Sequence, residues 1–309
     1  MTTLLLVAAV VSSLAGGDAQ SPRPDRQVIV LWPEGVPNAK PNGGTERVED
    51  GRVYNVQNPT LTIVPPETRP NGTAVVVCAG GSYMRLAIAN EAEGVAERLR
   101  KVGVTTFILK YRLAEYGHPA PLQDVLRAIR VVRSRAEEFG VRPDRVGVMG
   151  ASAGGHVAAS AATLFDASDG RTAAAIDSIS ARPDFVALLY PVITMREPYA
   201  HDASRRNLLG DHPPAALIAR LSLESQVTSQ TPPVFLVHGA DDQSVAVQNS
   251  ILFHEALLKA RVSAELHVYE HGPHGFGTSG GLGPTSFWVD RWFDWMRAHG
   301  WLGDPGDRP

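Results

Sequence analysis

The sequence predicts one α/β domain with a mostly parallel central β-sheet and helices on both faces. Short apolar, β-branched runs alternate with longer segments of helical periodicity through the middle and end of the chain, which is the pattern of a parallel sheet crossed by helices. No internal repeat, low-complexity tract or linker divides the 309 residues. Their content of 44% hydrophobic and 20% charged residues is that of a globular protein with a sizeable core.

The first residues are expected to be a targeting segment rather than part of the fold. Leu4 to Gly16 form a short apolar run, and Gly17 and Ala19 then place small residues where a signal peptidase would cleave after Ala19. The run is too short to span a bilayer core, so no stable membrane anchor is expected. The sequence therefore predicts a signal peptide over residues 1–19, a single domain over residues 20–309, and export to the periplasm or the medium.

Composition excludes several classes of partner and site. The net charge is −3 and no run of lysine or arginine is present, so a nucleic-acid partner is not expected. Cys78 is the only cysteine, which rules out an intrachain disulfide and a cysteine-based metal site. No metal or cofactor is predicted, and the sequence leaves the oligomeric state open.

The first half of the chain supplies an arm and the first strands of the sheet. Residues 20 to 50 are rich in Pro, Gly, Asn and Arg, which predicts an irregular arm laid over the domain. The β-branched run from Thr73 to Cys78 predicts a strand buried on both faces, and the glycine-rich loop Ala79–Tyr83 follows it. The other elements predicted here are strands at Val28–Trp32, Leu61–Val64 and Thr105–Tyr111 and a helix at Asn90–Val102.

The second half continues the alternation. Pro119 to Phe139 predicts a helix, because apolar residues recur on one stripe and Gly140 follows the last turn. The strand Arg145–Met149 comes next, followed by a helix start made of small residues. The remaining predicted elements are strands at Phe185–Tyr190, Val234–His238 and Ala264–Tyr269 and helices at Val245–Ala260 and Phe287–His299.

The segment Gly150–Gly154 reads Gly-Ala-Ser-Ala-Gly between a predicted strand and a predicted helix. This order suits a nucleophile elbow, a sharp turn that holds a serine, here Ser152, clear of the backbone. Glycine is needed at both ends if neighbouring chain passes too close for a β-carbon. The free N–H of Ala153 at the helix start would then point toward the reacting group. A simple tight turn is the alternative for the motif taken by itself.

The partners of such a serine are sought on later loops. A serine hydroxyl becomes a useful nucleophile when a base removes its proton and a third group orients that base. The loop after the second-to-last predicted strand contains Asp241 and Asp242, and the loop after the last strand contains His271 and His274. Both loops follow the carboxyl ends of strands, where open α/β sheets bind their ligands. The sequence therefore predicts a triad in the order serine, aspartate, histidine.

With these motifs the chain resembles the α/β-hydrolase superfamily, and within it the small carbohydrate acetylesterases related to acetylxylan esterases and allied to the hormone-sensitive-lipase type. The resemblance covers residues 31–302 and is carried by Leu31–Gly35, Ala79–Tyr83, Lys110–Leu113, His118–Asp124, the elbow, Leu208–Gly210 and the two partner loops. It implies an α/β-hydrolase fold with Asp242 as the acid and His274 as the base. Asp241 stays open as the acid, while His271 is expected to be a loop residue and His156 and His238 core histidines.

The resemblance also implies donors for a tetrahedral oxyanion in the loop after Cys78, which is itself expected to be a buried strand residue. The backbone N–H groups of Gly81 and Ser82 would act together with that of Ala153. Relatives carry a third glycine where this chain has Ser82. A serine in place of this glycine keeps the backbone donors if its φ is negative, since a side chain is tolerated there without strain.

The segment between Tyr190 and Pro232 is polar and too short for a large cap domain, which argues against a lipase for long acyl chains. The resemblance implies a serine carboxylesterase that removes acetyl or another small acyl group from xylan or xylo-oligosaccharides. Tyr83 and Tyr190 are expected either to contact this small-molecule or polysaccharide substrate or to pack at the core edge. A prolyl-oligopeptidase-type peptidase and a non-catalytic, secreted carbohydrate-binding protein on a hydrolase fold are the alternatives.

Overall fold

The computed structural model describes residues 26–40 and 42–303, and the predicted signal peptide lies outside them. In chain order the strands are β1 Val28–Val30, β2 Arg47–Glu49, β3 Arg52–Tyr54, β4 Thr60–Val64, β5 Gly72–Cys78, β6 Arg85–Leu86, β7 Thr105–Lys110, β8 Val141–Ala151, β9 Val186–Leu189, β10 Val234–Gly239 and β11 Ala264–Tyr269. Eight of them form one sheet in the order β1-β4-β7-β5-β8-β9-β10-β11. In this sheet β4 runs antiparallel to both of its neighbours, and the strands from β7 to β11 pair in parallel. The predicted parallel α/β sheet is confirmed.

Helices connect the parallel strands. They are α1 Gly94–Arg100, α2 Ala120–Ser134, α3 Ser152–Thr163, α4 Asp202–Leu209, α5 Ala215–Arg220, α6 Gln248–Lys259 and α7 Trp288–Ala298. The helix predicted from Asn90 to Val102 differs at its start, where a π-helical turn, Ile88–Glu93, precedes α1. A π turn changes the direction of side chains within one turn and is frequent near functional sites.

A second, three-stranded sheet of β2, β3 and β6 replaces part of the predicted irregular arm. β2 and β3 form an antiparallel hairpin around Asp50 and Gly51, which have φ values of 49° and 69°. Positive φ at both central residues is the geometry of the tight hairpin turn that an Asp-Gly pair favours. That pair was the local signal for the hairpin. The pairing of β3 with β6 joins residues distant in sequence and had no local signal.

The segment between β9 and β10 contains α4 and α5, which have 8 and 6 residues. These short helices agree with the prediction that no large cap domain is present. Across the part of the chain that is described, no helix is long and apolar enough to cross a membrane.

Candidate active site

The elbow forms where it was predicted, because β8 ends at Ala151 and α3 begins at Ser152. Ser152 has a φ of 54°, a conformation that is strained for a residue with a side chain and typical of a nucleophile elbow. A β-carbon at Gly150 would lie 2.1 Å from the carbonyl oxygen of Gly154, and one at Gly154 would lie 2.1 Å from that of Cys78. The close backbone approach expected at both glycines is therefore present.

The structure brings Ser152, Asp242 and His274 into one hydrogen-bonded chain. Nε2 of His274 lies 2.8 Å from Oγ of Ser152, and Nδ1 of the same ring lies 2.7 Å from Oδ2 of Asp242. The imidazole can therefore accept the serine proton while the carboxylate orients the ring and stabilises its charged form. This is the arrangement needed for nucleophilic catalysis by a serine.

Asp242 is held as an anion by the loop that carries it. Its Oδ1 accepts the backbone N–H groups of Ser244 and Val245 at 2.8 and 3.0 Å. Burial opposes the charge, but the hydrogen bonds from His238, His274 and Val245 outweigh it and hold the pKa of this carboxyl far below its usual range. His238, an expected core histidine, is fully buried, and its Nε2 lies 3.4 Å from Oδ2 of the aspartate.

The neighbouring acid has a different place. Asp241 accepts the N–H of Gly272 at 2.7 Å and lies 3.2 Å from Nδ1 of the exposed His271. These contacts brace the loop that follows β11 and leave His274 to Asp242. The geometry thus agrees with the prediction of Asp242 over Asp241, and with that of His271 as a loop residue.

The predicted oxyanion donors line the same cavity as the serine. Gly81 and Ser82 lie on its wall with Ser152 and His274, and the cavity has a volume of about 230 Å³. Ala153 follows the serine at the start of α3. Within residues 26–40 and 42–303, the N–H groups of Gly81 and Ser82 have no protein acceptor, so they are free to bind an oxyanion.

The conformation of Ser82 does not meet the condition that the sequence set for a serine at this place. Its φ is 58°, and Tyr83 follows with 59°, so the loop keeps the backbone conformation of a glycine in spite of the side chain. Each such residue costs about 1 kcal/mol relative to a relaxed backbone. The side chain of Asn207 on α4 donates to the carbonyl oxygen of Ser82 at 2.7 Å and helps to hold this strained loop.

The structure does not support sugar contacts by the two predicted tyrosines. Tyr83 is 1% exposed, and its hydroxyl lies 2.7 Å from Nδ1 of His156 inside the core. Tyr190 is fully buried, and its ring packs on that of His274 at a centroid distance of 4.8 Å. Both were candidate substrate-binding residues with core packing as the alternative, and the structure places both in the core and neither on the cavity wall. The expected core placement of His156 and Cys78 is confirmed, and burial raises the pKa of the Cys78 thiol.

The cavity also has a wall that sequence reasoning missed. The hairpin turn at Asp50 and Gly51 reaches it together with Arg52, Arg85 and Glu91. No sequence pattern connects these residues, since the hairpin, β6 and the π turn meet only in three dimensions. Among the described residues no group of His, Cys, Asp and Glu is arranged to hold a metal ion.

Comparison with known families gives a match to the BD-FAE family over residues 61–257. An acetylxylan esterase from Xylanibacter ruminicola is 34% identical over 212 residues, which are 67% of this chain and 42% of that protein. Endo-1,4-beta-xylanase B from Butyrivibrio fibrisolvens is 36% identical over 205 residues, which are 65% of this chain and 32% of that protein. The chain therefore spans less than half the length of these two relatives.

Solved structures give a similar result over more of the chain. An acetyl ester-xyloside bifunctional hydrolase from Caldicellulosiruptor lactoaceticus superposes with a TM-score of 0.80 and 36% identity, covering 90% of this chain and 97% of the other. Thermogutta terrifontis esterase 2 superposes with a TM-score of 0.71 at 23% identity, covering 91% and 97%. At that identity the second likeness concerns the fold alone, which is that of an α/β-hydrolase.

Proposed function

The chain belongs to the BD-FAE family, and from that premise we propose that it is a serine carboxylesterase acting on acetyl or other small acyl esters of xylan-type carbohydrates. The observation that carries the proposal is the continuous hydrogen-bonded chain from Ser152 through His274 to Asp242, at the wall of an open cavity. The serine at its end has a strained backbone conformation, with a φ of 54°, and such strain is concentrated at functional sites.

In this mechanism Oγ of Ser152 attacks the ester carbonyl carbon while Nε2 of His274 takes the hydroxyl proton. The negative charge on the carbonyl oxygen is accepted by the backbone N–H groups of Gly81, Ser82 and Ala153. The intermediate then collapses, and the imidazolium gives its proton to the departing sugar oxygen. Water, deprotonated by the same imidazole, releases the carboxylic acid from the acyl-enzyme and restores the serine.

Two observations support a small acyl group on a polar alcohol. The cavity of about 230 Å³ is small, and its wall carries the polar side chains of Asp50, Arg52 and Arg85. Three proteins that match about two thirds or more of this chain at 34–36% identity are named for acetylxylan esterase, xylanase and acetyl ester-xyloside hydrolase activities. Export through the predicted signal peptide over residues 1–19 would bring the enzyme to a polymer outside the cell.

The substrate proposal is tested by acetate release from acetylated xylan, acetylated xylo-oligosaccharides, acetylated pectin and simple sugar acetates. We expect the xylan-type substrates to give the highest kcat/KM. Hydrolysis of p-nitrophenyl acetate without acetate release from any of the carbohydrates would reject the carbohydrate substrate and keep the esterase activity. Faster hydrolysis of an aminoacyl-proline amide than of any ester would instead identify a peptidase.

The nucleophile is tested by Ser152→Ala. The variant should lose about 10⁴- to 10⁶-fold in kcat on p-nitrophenyl acetate, because no other residue of the triad can form the acyl-enzyme. It should also lose covalent labelling by a fluorophosphonate probe. Absence of labelling in the parent protein would favour the non-catalytic binding protein.

A further inference from the structure

Glu91 is a buried carboxyl group at the active-site cavity that the mechanism above does not use. It lies in the π turn Ile88–Glu93, is 4% exposed, and lines the cavity with Ser152 and His274. A carboxyl group with so little exposure needs specific donors, because burial without them is strongly unfavourable. Burial in fact raises the pKa of Glu91, against the lowering effect of the N–H of Gly80 and the charge on His274.

The first donor to Glu91 belongs to the oxyanion loop. The backbone N–H of Gly80 donates to Oε2 at 2.6 Å. A β-carbon at Gly80 would lie 2.7 Å from that oxygen and 2.7 Å from Cβ of Ser152, so Gly80 packs closely against both the carboxylate and the serine. Gly80 immediately precedes Gly81 and Ser82, whose N–H groups are the proposed oxyanion donors. The carboxylate therefore fixes the first part of the loop that presents those donors.

The second donor leads to the histidine loop. The hydroxyl of Tyr190 donates to Oε1 of Glu91 at 3.2 Å and accepts the backbone N–H of Gly277 at 3.1 Å. The ring of the same tyrosine packs on His274, three residues before that glycine. Asn90, next to Glu91 on the π turn, donates to the carbonyl oxygen of Gly275 at 3.0 Å. The π turn thus holds the segment after His274 at two points, at Gly275 directly through Asn90 and at Gly277 through Glu91 and Tyr190.

We propose that Glu91 is a positioning residue that couples the oxyanion loop to the histidine loop through Gly80 and Tyr190. The inference rests on the proposed esterase mechanism, since it assigns the carboxylate a task in that reaction. An ionised carboxylate accepts from Gly80 and Tyr190 at once, because it has acceptor sites on both oxygens and no proton. Glutamine has the same shape, but its N–H₂ group cannot accept, so either the bond from Gly80 is lost or the bond with Tyr190 has to reverse its direction.

The test compares Glu91→Gln, Tyr190→Phe and the double variant by steady-state hydrolysis of p-nitrophenyl acetate. Rates are expressed per active site, counted from the end point of fluorophosphonate labelling, so that misfolded protein does not enter kcat. Each single variant should lower kcat about 10- to 100-fold with KM changed less than about threefold, because misplaced oxyanion donors act in the transition state. The double variant should lose much less than the product of the two single losses, since one chain of bonds is being cut twice.

Glu93→Gln is the matched control, because Glu93 lies on the same turn but pairs with Arg26 outside the cavity. It should keep the parent kcat. Values of kcat per titrated site within twofold of the parent in both Glu91→Gln and Tyr190→Phe would overturn the inference and leave the esterase intact. A purely structural role would lower the melting temperature or the number of titrated sites and leave kcat per site unchanged, which also overturns it. A parent protein with no turnover of the ester would reject the proposed function itself.

Discussion

Asp241 and Asp242 are neighbours in the chain, but their carboxylates face different parts of the site. Asp242 is 8% exposed and lies against His274, whereas Asp241 is outside the pocket and binds the N–H of Gly272. Residue type and loop position are the same for both, so a sequence pattern alone leaves two candidates. The direction in which the turn aims each side chain decides between them.

Asp242→Asn should lower kcat on p-nitrophenyl acetate by about 10³- to 10⁴-fold, because the amide no longer fixes the tautomer and orientation of His274. Asp241→Asn is the matched control, and we expect it to cost less than about threefold, since its carboxylate lies on the loop and does not reach the imidazole. Both variants are compared at the same pH after fluorophosphonate titration. A larger loss in Asp241→Asn would move the acid by one residue.

The residues that sequence reasoning found are those whose chemistry depends on chain order. Ser152, Asp242 and His274 follow strands in the order that the α/β-hydrolase fold requires. The positive φ of Ser82 and the contacts of Glu91 were missed because each depends on neighbours from other elements. The positions of Tyr83 and Tyr190 were left open for the same reason, since an aromatic residue beside a catalytic loop can face either way.

At the scale of elements, α3 both carries the nucleophile and buries a titratable group. His156 is 1% exposed, and its Nε2 lies 2.9 Å from the carbonyl oxygen of Leu221. Its Nδ1 accepts the hydroxyl of Tyr83, so the neutral imidazole satisfies both partners. Burial therefore lowers the pKa of this histidine to about 4.

This histidine should make the protein less stable as the pH falls from 7 to 5. In that range the unfolded chain binds a proton at this imidazole and the native state does not, so protonation favours unfolding. The stabilising contribution is complete above the unfolded pKa of 6.5 and declines until the pH reaches about 4. The expected loss between pH 7 and pH 5 is about 2 kcal/mol, measured by urea unfolding.

His156→Gln isolates this contribution, because His118, His201 and every other ionisable group remain in both proteins. The variant should be less stable than the parent at pH 7, since glutamine fits the two partners less well. Its further loss of stability between pH 7 and pH 5 should be smaller by about 2 kcal/mol. Equal pH dependence in the two proteins would show that His156 does not titrate in this way.

The small sheet of β2, β3 and β6 and its hairpin turn form part of the wall of the cavity and are placed where they can contact a substrate. Arg85 on β6 lines the cavity, and its Nε is buried without a hydrogen-bond partner among the described residues. Arginine carries five N–H donors on its guanidinium group, and as a cavity-lining residue Arg85 can offer one of the others to a bound acceptor such as a sugar hydroxyl. Under the proposed function, the sheet would thus supply a donor to the alcohol part of the ester.

Arg85→Gln should raise KM for acetylated xylo-oligosaccharides by about 3- to 10-fold and leave kcat nearly unchanged, as expected when an interaction is equal in the ground and transition states. On p-nitrophenyl acetate, which has no sugar hydroxyls, both constants should stay within about twofold of the parent. Arg98→Gln, on the exposed face of α1, is the control. Equal losses on both substrates would point to a role of Arg85 in folding or in the oxyanion loop.

At the scale of the whole molecule, three sequence blocks that carried the family resemblance meet away from the active-site cavity. Trp32 follows the end of β1 and Arg112 follows the end of β7, whereas Asp124 lies on α2. All three residues are buried. The carboxylate accepts the indole N–H of the tryptophan at 2.8 Å and both Nε and Nη2 of the arginine. This cluster fastens the N-terminal arm to the sheet and to α2.

The order of strands and helices was predictable because each parallel strand is a buried apolar run and each crossover helix has its own periodicity. The order of the strands within the sheet and the antiparallel direction of β4 could not be predicted, since both depend on pairing between residues distant in sequence. The blocks at Trp32, Arg112 and Asp124 could be recognised by resemblance, but their physical task appears only when the three side chains are seen together.

Asp124→Asn should destabilise the protein by about 3–5 kcal/mol, because it leaves the buried guanidinium of Arg112 without a counter-charge. Both carboxylate oxygens face N–H donors, Oδ1 from Trp32 and Oδ2 from the backbone of Arg112. Whichever side the new amide N–H₂ takes, donor therefore meets donor. The change is measured as a lower urea midpoint with an unchanged slope.

The control for this prediction is Asp144→Asn, whose ion pair with Arg142 is more than half exposed on both sides. Exposed pairs of this kind contribute little, so the midpoint should barely move. Because neither Asp124 nor Arg112 lines the cavity, kcat per titrated site should be unchanged in Asp124→Asn wherever the variant is folded. A midpoint equal to that of the control would mean that the buried pair does not hold the arm, and the arm would then depend on the apolar packing of Leu31 and Trp32.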